Sequence, residues 1–282
     1  MPVTATPSAD TTACRYAGTF LGSRTVSYSE RDAILYALAV GARASELDLV
    51  FEDRLRVLPT FALTLAQWAP DTLGSLGAFD TRTAMHGAQQ LAVAAPLPRS
   101  GEVTMSASVG RVWDKGTAAI FEIVVRSEYF VATWSLFAPG AGGFGGDRGP
   151  TGPAGPAGDP AIDGVLTTTE NQAALYRLTG DRHHIHIDPQ AAARIGQPRP
   201  IMHGLCTLGA AALEVARLTG VHPADLNSLA GRFAAVIHPG ERARIAIYGT
   251  APQVSFELIK DGAPVVSGGR AGFADAEGQQ PR

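Results

Sequence analysis

The densest run of reactive side chains spans residues 176–207, YRLTGDRHHIHIDPQAAARIGQPRPIMHGLCT. Asp181 and His186 stand five positions apart just after Gly180. That spacing suits a turn or short irregular loop, on which two side chains converge on one cleft while rigid elements hold the ends. A carboxylate ordinarily titrates near about 3.9 and an imidazole near about 6.5, so at neutral pH the pair divides the work of orienting and deprotonating a water. Downstream, Asp188-Pro189 is a helix-start signal: Asp caps, Pro fits the first helical position, and residues 190–195 follow. Pro198 and Pro200 fix an extended approach to His203-Gly204. Residues 205–218 are apolar and Ala-rich all round, which predicts a buried helix. Such a helix, beginning near Gly204, points free backbone N–H groups at whatever lies before it. A substrate carbonyl placed there meets an oxyanion hole, and glycine lets it come close to the backbone.

Other chemistries fit less well. His183, His184, His186 and His203 invite a metal, but no Cys pair or Glu partner stands at a recognised ligand spacing. Cys206 lies on the apolar helix and reads as a small buried hydrophobe rather than a nucleophile. No Ser-centred elbow occurs. Gly140, Gly142 and Gly145 match G-x-G-x-x-G after an expected strand at 133–137, but the turn opens into Pro150, Pro153 and Pro156, where no helix can receive a pyrophosphate.

The elements that must position these groups fall into two halves. Residues 139–164, PGAGGFGGDRGPTGPAGPAGDPAIDG, hold too much Gly and Pro for a helix interior or a central strand. They read as a linker between residues 1–138 and 165–282, a flap or rigid loop over a neighbouring surface. Gly149, Gly152, Gly155 and Gly158 open collagen-like triplets, too few for a triple helix. Each half has an early helix: Ser29 caps one with Asp32 three residues on and Gly41 at its end, and residues 167–180 form the other. Each half also carries Met-His-Gly, at Met85-His86-Gly87 and Met202-His203-Gly204, read as the start of a central helix. Strands close both halves: 104–111 and 118–125 flank Trp113-Asp114-Lys115-Gly116, and 244–248 leads to 253–259, then Asp261-Gly262 and 264–267. Asp-Gly between apolar runs is a strong hairpin signal. The pattern is a duplicated α+β unit.

Bulk properties agree. At 282 residues the chain is long enough for two such units, and with 45% hydrophobic residues each can bury a core. A net charge of −3 and a pI near 6.2 offer nothing to wrap nucleic acid. No uncharged apolar run is long enough for a membrane span. Two cysteines, Cys14 and Cys206, fit a reducing cytoplasm, and neither residues 1–12 nor residues 278–282 read as a targeting signal.

Residues 180–188, Gly-Asp-Arg-His-His-Ile-His-Ile-Asp, followed by Pro200-Ile201-Met202-His203-Gly204, resemble the MaoC-like family, also called type 2 enoyl-CoA hydratases. Val57-Leu58-Pro59-Thr60-Phe61, Met85-His86-Gly87 and residues 140–146 extend the resemblance over most of the chain. It implies a double hotdog fold, in which each half wraps a long helix in a curved antiparallel sheet. It also implies reversible hydration of a trans-2-enoyl-CoA to an (R)-3-hydroxyacyl-CoA, without metal or nucleotide cofactor, in a homodimer. By the same resemblance Asp181 and His186 are the catalytic pair, and the Gly204 N–H polarises the thioester carbonyl. His86, Gly87, Lys115, Arg182, His183 and Phe233 then contact the acyl-CoA. One departure stands out: the family signature has Asn-Pro where this chain has His183-His184, which implies an altered pH dependence. A hotdog thioesterase and a non-catalytic acyl-CoA-binding subunit are the alternatives, and fatty, polyketide-derived and steroid side-chain acyl groups are all open.

Overall fold

The computed structural model describes residues 13–152, 155, 156 and 158–274; the two terminal segments read above for targeting signals lie outside them, as does Pro153. The first half comprises β1 (Phe20–Tyr28), α1 (Glu30–Ala39), α2 (Leu47–Val50), α3 (Ala62–Leu65), α4 (Trp68–Ser75), β2 (Met85–Val93), β3 (Gly101–Asp114), β4 (Ala118–Arg126) and β5 (Phe130–Pro139). The second comprises β6 (Ile162–Thr167), α5 (Gln172–Tyr176), α6 (Pro189–Arg194), α7 (Gly204–Thr219), β7 (Leu226–Phe233), β8 (Arg242–Thr250), β9 (Gln253–Lys260) and β10 (Ala263–Phe273). All ten strands form one antiparallel sheet in the order β1-β3-β4-β5-β2-β7-β10-β9-β8-β6. Five strands from each half meet at the β2–β7 seam, where Ala88 pairs with Arg232 and Ala92 with Ser228. This is the α+β double hotdog expected from the sequence.

Period-2 alternation puts one face of the sheet on the core. Phe121, Ile123 and Val125 of β4 and Ala132, Trp134 and Leu136 of β5 are buried while their neighbours are more exposed. The other layer is helical. Helix α7 is the long helix of the second half, apolar on most of its surface because most of its surface is covered. Gly209 lets it approach α1 closely: a Cβ there would lie 2.8 Å from the Tyr36 hydroxyl and 3.0 Å from Val40. Cys206 Sγ donates to the Ala39 carbonyl at 3.4 Å from the same face. Arg217 of α7 adds an ion pair to Glu46 and a hydrogen bond to the Gly41 carbonyl. The first half's early helix therefore docks on the second half's central one.

One expectation needs correction, and of the two readings of the linker the rigid loop is the one observed. Met85-His86-Gly87 does not start a helix; it opens strand β2. The first half's central helical run is instead the 3₁₀ turn Pro59–Phe61 followed by α3 and α4, beginning at Leu58-Pro59. The His-Gly of the second half precedes an Ala-rich run that can only be buried as a helix. That of the first half precedes Ala88-Gln89-Gln90-Leu91, whose Gln89 and Leu91 point inward on a strand.

The linker is not a free flap. β5 runs to Pro139 and β6 begins at Ile162; the described residues between them, 140–152, 155, 156 and 158–161, carry no helix or strand and form a strap. Asp114 pins its start by accepting hydrogen bonds from the N–H groups of Gly143 (2.9 Å) and Gly145 (2.7 Å), as well as from Gly116 (2.8 Å). Those amides hold the Asp114 carboxyl down at about 2. Farther on, the strap lies flat against side chains: a Cβ on Gly149 would strike the Trp113 ring and one on Gly152 the Arg232 guanidinium.

Candidate active site

The turn after α5 carries the reactive groups. Gly180 takes φ +143°, a conformation side chains rarely adopt, and redirects the chain out of the 3₁₀ turn Arg177–Thr179. The His183 N–H then donates to Asp181 Oδ1 at 3.1 Å. Residues His184–His186 form a second 3₁₀ turn, whose N-cap is His183: its Nδ1 accepts from the Ile185 N–H at 3.4 Å. Asp188 caps α6 by accepting from the Gln190 N–H at 2.9 Å, as the Asp-Pro signal predicts.

The extended segment before α7 lies beside that turn, with the Ile201 N–H donating to the Ile185 carbonyl at 3.2 Å. The Ile201 carbonyl in turn accepts from His186 Nδ1 at 2.9 Å. This bond fixes the tautomer, so the proton sits on Nδ1 and Nε2 carries a free lone pair. Burial pushes the His186 imidazole below its ordinary range, against opposing pulls from the Ile201 bond and from Asp181. His186 is therefore a neutral base at neutral pH.

His203 completes the cluster. It is buried, its ring stacks on His186 at 3.6 Å between centroids, and its Nε2–H donates to the Asp181 carbonyl at 3.2 Å. Burial and the neighbouring His186 push its pKa down. His203 packs against Tyr176 at 4.7 Å while also bridging the backbone of one reactive residue to the ring of the other. One side-chain atom each of Asp181, His186 and His203 lie within 4.8 Å of one another. Imidazole lone pairs lie in the ring plane, and two rings stacked 23° apart aim them nearly side by side rather than at one point. The arrangement suits proton transfer better than coordination.

His203 is also the N-cap residue of α7 and Gly204 its first helical residue. The N–H of that residue has no partner within the helix, and the helix dipole favours negative charge beside it. Gly204 faces Phe233: a Cβ on it would come 3.2–3.3 Å from the ring. Phe233 meets the His86 ring edge-on at 4.8 Å, and His86 also lies against Trp134 at 6.5 Å. Burial lowers the His86 pKa to about 4, with Asp181 pulling the other way, so the first half brings a neutral imidazole within electrostatic reach of the Asp181 carboxylate.

Two hollows flank the cluster. One, of about 720 Å³, is lined by Asp181, Arg182, His183, Gln67, Asp71 and Arg194, among others from both halves. The second, of about 290 Å³, lies at His186 with Ile187, Arg199 and Glu170. The structure thus brings Asp181, Arg182 and His183 to the larger hollow and His186 to the smaller one, and groups Gly204 with Phe233 and His86. Gly87 follows His86 on β2, where a Cβ would lie 3.3 Å from the Ser135 carbonyl. Lys115 stands apart: its ammonium donates to the Arg148 carbonyl of the strap, and it does not line either hollow. Asp71 escaped the sequence reading. Its carboxyl is pushed up by burial and by Asp181 across the cleft, and only the fold of the first half puts it there.

Comparison with known proteins agrees with this fold. Residues 26–132 match the MFE-2 hydratase 2 N-terminal domain, and residues 156–266 match the MaoC like domain. The chain is 36% identical over 244 residues to 3-hydroxyacyl-thioester dehydratase Y of Mycobacterium tuberculosis, covering 80% of this chain and 83% of that protein. It is 34% identical over 264 residues to enoyl-CoA hydratase ChsH3 of the same organism, covering 86% and 92%. Among solved structures, a MaoC-like dehydratase from Phytophthora capsici superposes with a TM-score of 0.83 at 24% identity, covering 94% of this chain and 98% of that one. The peroxisomal multifunctional enzyme type 2 of Drosophila melanogaster superposes with a TM-score of 0.75 at 30% identity, covering 89% and 48%. The chain belongs to the MaoC-like hydratase and dehydratase family and is an enzyme of that class.

Proposed function

We propose that the protein catalyses reversible hydration of a trans-2-enoyl-CoA to an (R)-3-hydroxyacyl-CoA at the Asp181–His186–Gly204 cluster. Water sits between the Asp181 carboxylate and the free Nε2 of His186. His186 takes a proton from the water as its oxygen bonds to C3, and the electron pair of the double bond moves through C2 toward the thioester oxygen. The enolate oxygen is held by the Gly204 N–H at the start of α7, where unpaired amides and the helix dipole stabilise developing negative charge. The protonated member of the pair then returns a proton to C2. His86 and Phe233, packed on each other beside Gly204, form the wall of the acyl site.

The observation that carries this reading is the His186 Nδ1–Ile201 carbonyl bond of 2.9 Å. It leaves a buried imidazole one free lone pair, in a cluster with a carboxylate at the mouth of a 720 Å³ cleft. The two mycobacterial relatives, named for hydration of an enoyl-CoA and dehydration of a hydroxyacyl thioester, support the substrate class. The test is an assay at the enoyl-thioester absorbance with thiol release followed in parallel. Loss of absorbance without free thiol is expected; loss with thiol release would make the enzyme a thioesterase. Asp181→Asn is expected to abolish turnover and keep CoA-ester binding near the wild-type affinity, and retained turnover would remove Asp181 from the mechanism.

A further inference from the structure

The His183-His184 departure acquires a physical meaning once the turn is seen. A 3₁₀ turn of three residues has little of its own to hold it, yet it carries His186. Its cap is the His183 ring, through an Nδ1 lone pair that accepts the Ile185 N–H. An asparagine in this position caps equally well, because its side-chain oxygen accepts the same bond. The two differ in one respect: an imidazolium has donors on both nitrogens and accepts nothing.

We propose that His183 is a titratable cap: neutral, it holds the turn that aims His186; protonated, it lets the turn go and swings to the Asp71 carboxylate on the far wall of the cleft. His183 is thus a positioning residue acting through His186, and only the kinetic part of the proposal rests on the hydratase reading.

The surroundings supply both ends of the switch. His183 and Asp71 line one cleft and attract each other electrostatically. From its own loop His183 faces Asp181, Arg182, His184 and the His186 ring, which it meets edge-on at 6.2 Å. Arg194 faces it from α6, and Gln67 and Arg82 from the first half, while Arg24 of β1 acts on Asp71. Neutral Nε2–H of His183 has no other hydrogen-bond partner among the described residues, so no second contact resists the swing. A charge on His183 also works against protonation of His186.

The experiment follows the Ile185 amide by ¹H–¹⁵N NMR and kcat/KM in parallel from pH 8 to pH 5, in the wild type and in His183→Asn, His183→Ala and Asp71→Asn. In the wild type the Ile185 resonance is expected to move through an imidazole titration and kcat/KM to step down about fivefold beyond the loss due to His186, the size of a lost cap. Asparagine keeps the cap and removes the step. Alanine has no cap, so its kcat/KM is low by that same factor at every pH. Asp71→Asn moves the step to lower pH, because the charged ring loses its partner. Equal steps in wild type and His183→Asn, or an Ile185 amide that titrates identically in both, overturn the proposal. If the wild type shows no hydration, the hydratase reading fails while the NMR titration still decides the cap. If it hydrates and the cap signature is missing, only the cap falls.

Discussion

The oxyanion assignment can be tested by deleting a single hydrogen-bond donor. Gly204 is the first helical residue of α7, and His203 before it has φ −65° and ψ 139°. Proline is accepted at a first helical position, since the N–H it lacks has no partner in the helix. The residue before a proline must be extended, and His203 already is. Gly204→Pro therefore removes the one N–H proposed to face the enolate without an intrinsic penalty to the helix. The steric part is not zero: any Cβ at this position comes 3.2–3.3 Å from the Phe233 ring, which must give by a few tenths of an ångström.

Gly204→Ala is the control, because it adds the same Cβ and keeps the N–H. The ratio of the two variants isolates the donor. Loss of one oxyanion-hole hydrogen bond typically lowers kcat by a factor of about 10²–10³, or about 2.7–4 kcal/mol of transition-state stabilisation. The proline variant is expected to fall below the alanine variant by that factor in kcat, with both variants melting within a few degrees of each other. KM should change little between them, since the donor acts chiefly on charge that develops after binding. A proline variant within tenfold of the alanine variant in kcat would refute the assignment of Gly204, and a melting temperature well below that of the alanine variant would instead locate the loss in folding.

Three further outcomes are expected. His86, His186 and His203 are all held below the ordinary imidazole range in the folded chain, His86 at about 4, whereas the unfolded chain takes up these protons near about 6.5. Between those values the unfolded state binds more protons, so stability is fully present above about pH 6.5 and falls on acidification, by about 1.4 kcal/mol per pH unit for each proton. Urea unfolding across pH should show His86→Gln with a slope shallower by about one proton between pH 6.5 and 4; an unchanged slope would mean His86 is not held neutral. Asp114→Ala frees the strap amides of Gly143 and Gly145, and trypsin should then cut after the exposed Arg148 faster by about tenfold or more, since two charged hydrogen bonds are lost; equal rates would show that Asp114 does not pin the strap. Gly209→Val drives two methyls into Tyr36 and Val40, an overpacking of about 1–3 kcal/mol that should lower the melting temperature by about 2–12 °C, and no loss would place α1 farther from α7 than described.

Much of the second half was legible because its signals are local. Asp188-Pro189 caps α6 within two residues, Asp261-Gly262 turns β9 into β10, and the Ala-rich run after Gly204 has no fate but a buried helix. The first half resisted because its signals compete. Pro70 and Gly74 interrupt the helical run 59–75 and hide its period, and Met85-His86-Gly87 imitates a helix start that alternating burial overrides. Strand β7 drew no sequence signal, for Gly231 and Arg232 break its apolar alternation before Phe233, and it is specified by its neighbours β2 and β10. Asp71 was invisible for the same reason: a carboxylate in the first turn of a helix reads as a surface residue until a second domain half is folded against it. The stacking of His203 on His186 joins a loop to a helix start seventeen positions on, and no periodicity reports such a contact.

The β2–β7 seam explains why two halves are needed for one site. Ala88 pairs with Arg232, which sets His86 and Gly87 on β2 level with Phe233 at the end of β7. The His86 and Phe233 rings can meet at 4.8 Å only in that register, and Phe233 in turn closes on Gly204. A slip of one residue along the seam would send these side chains to the opposite face of the sheet, away from α7. The register is held from both sides, because β2 is also paired along its length with β5 and β7 with β10. On the proposed reading neither half holds a complete site of its own: the second would supply the base, the carboxylate and the amide, and the first the wall that orients a thioester against them.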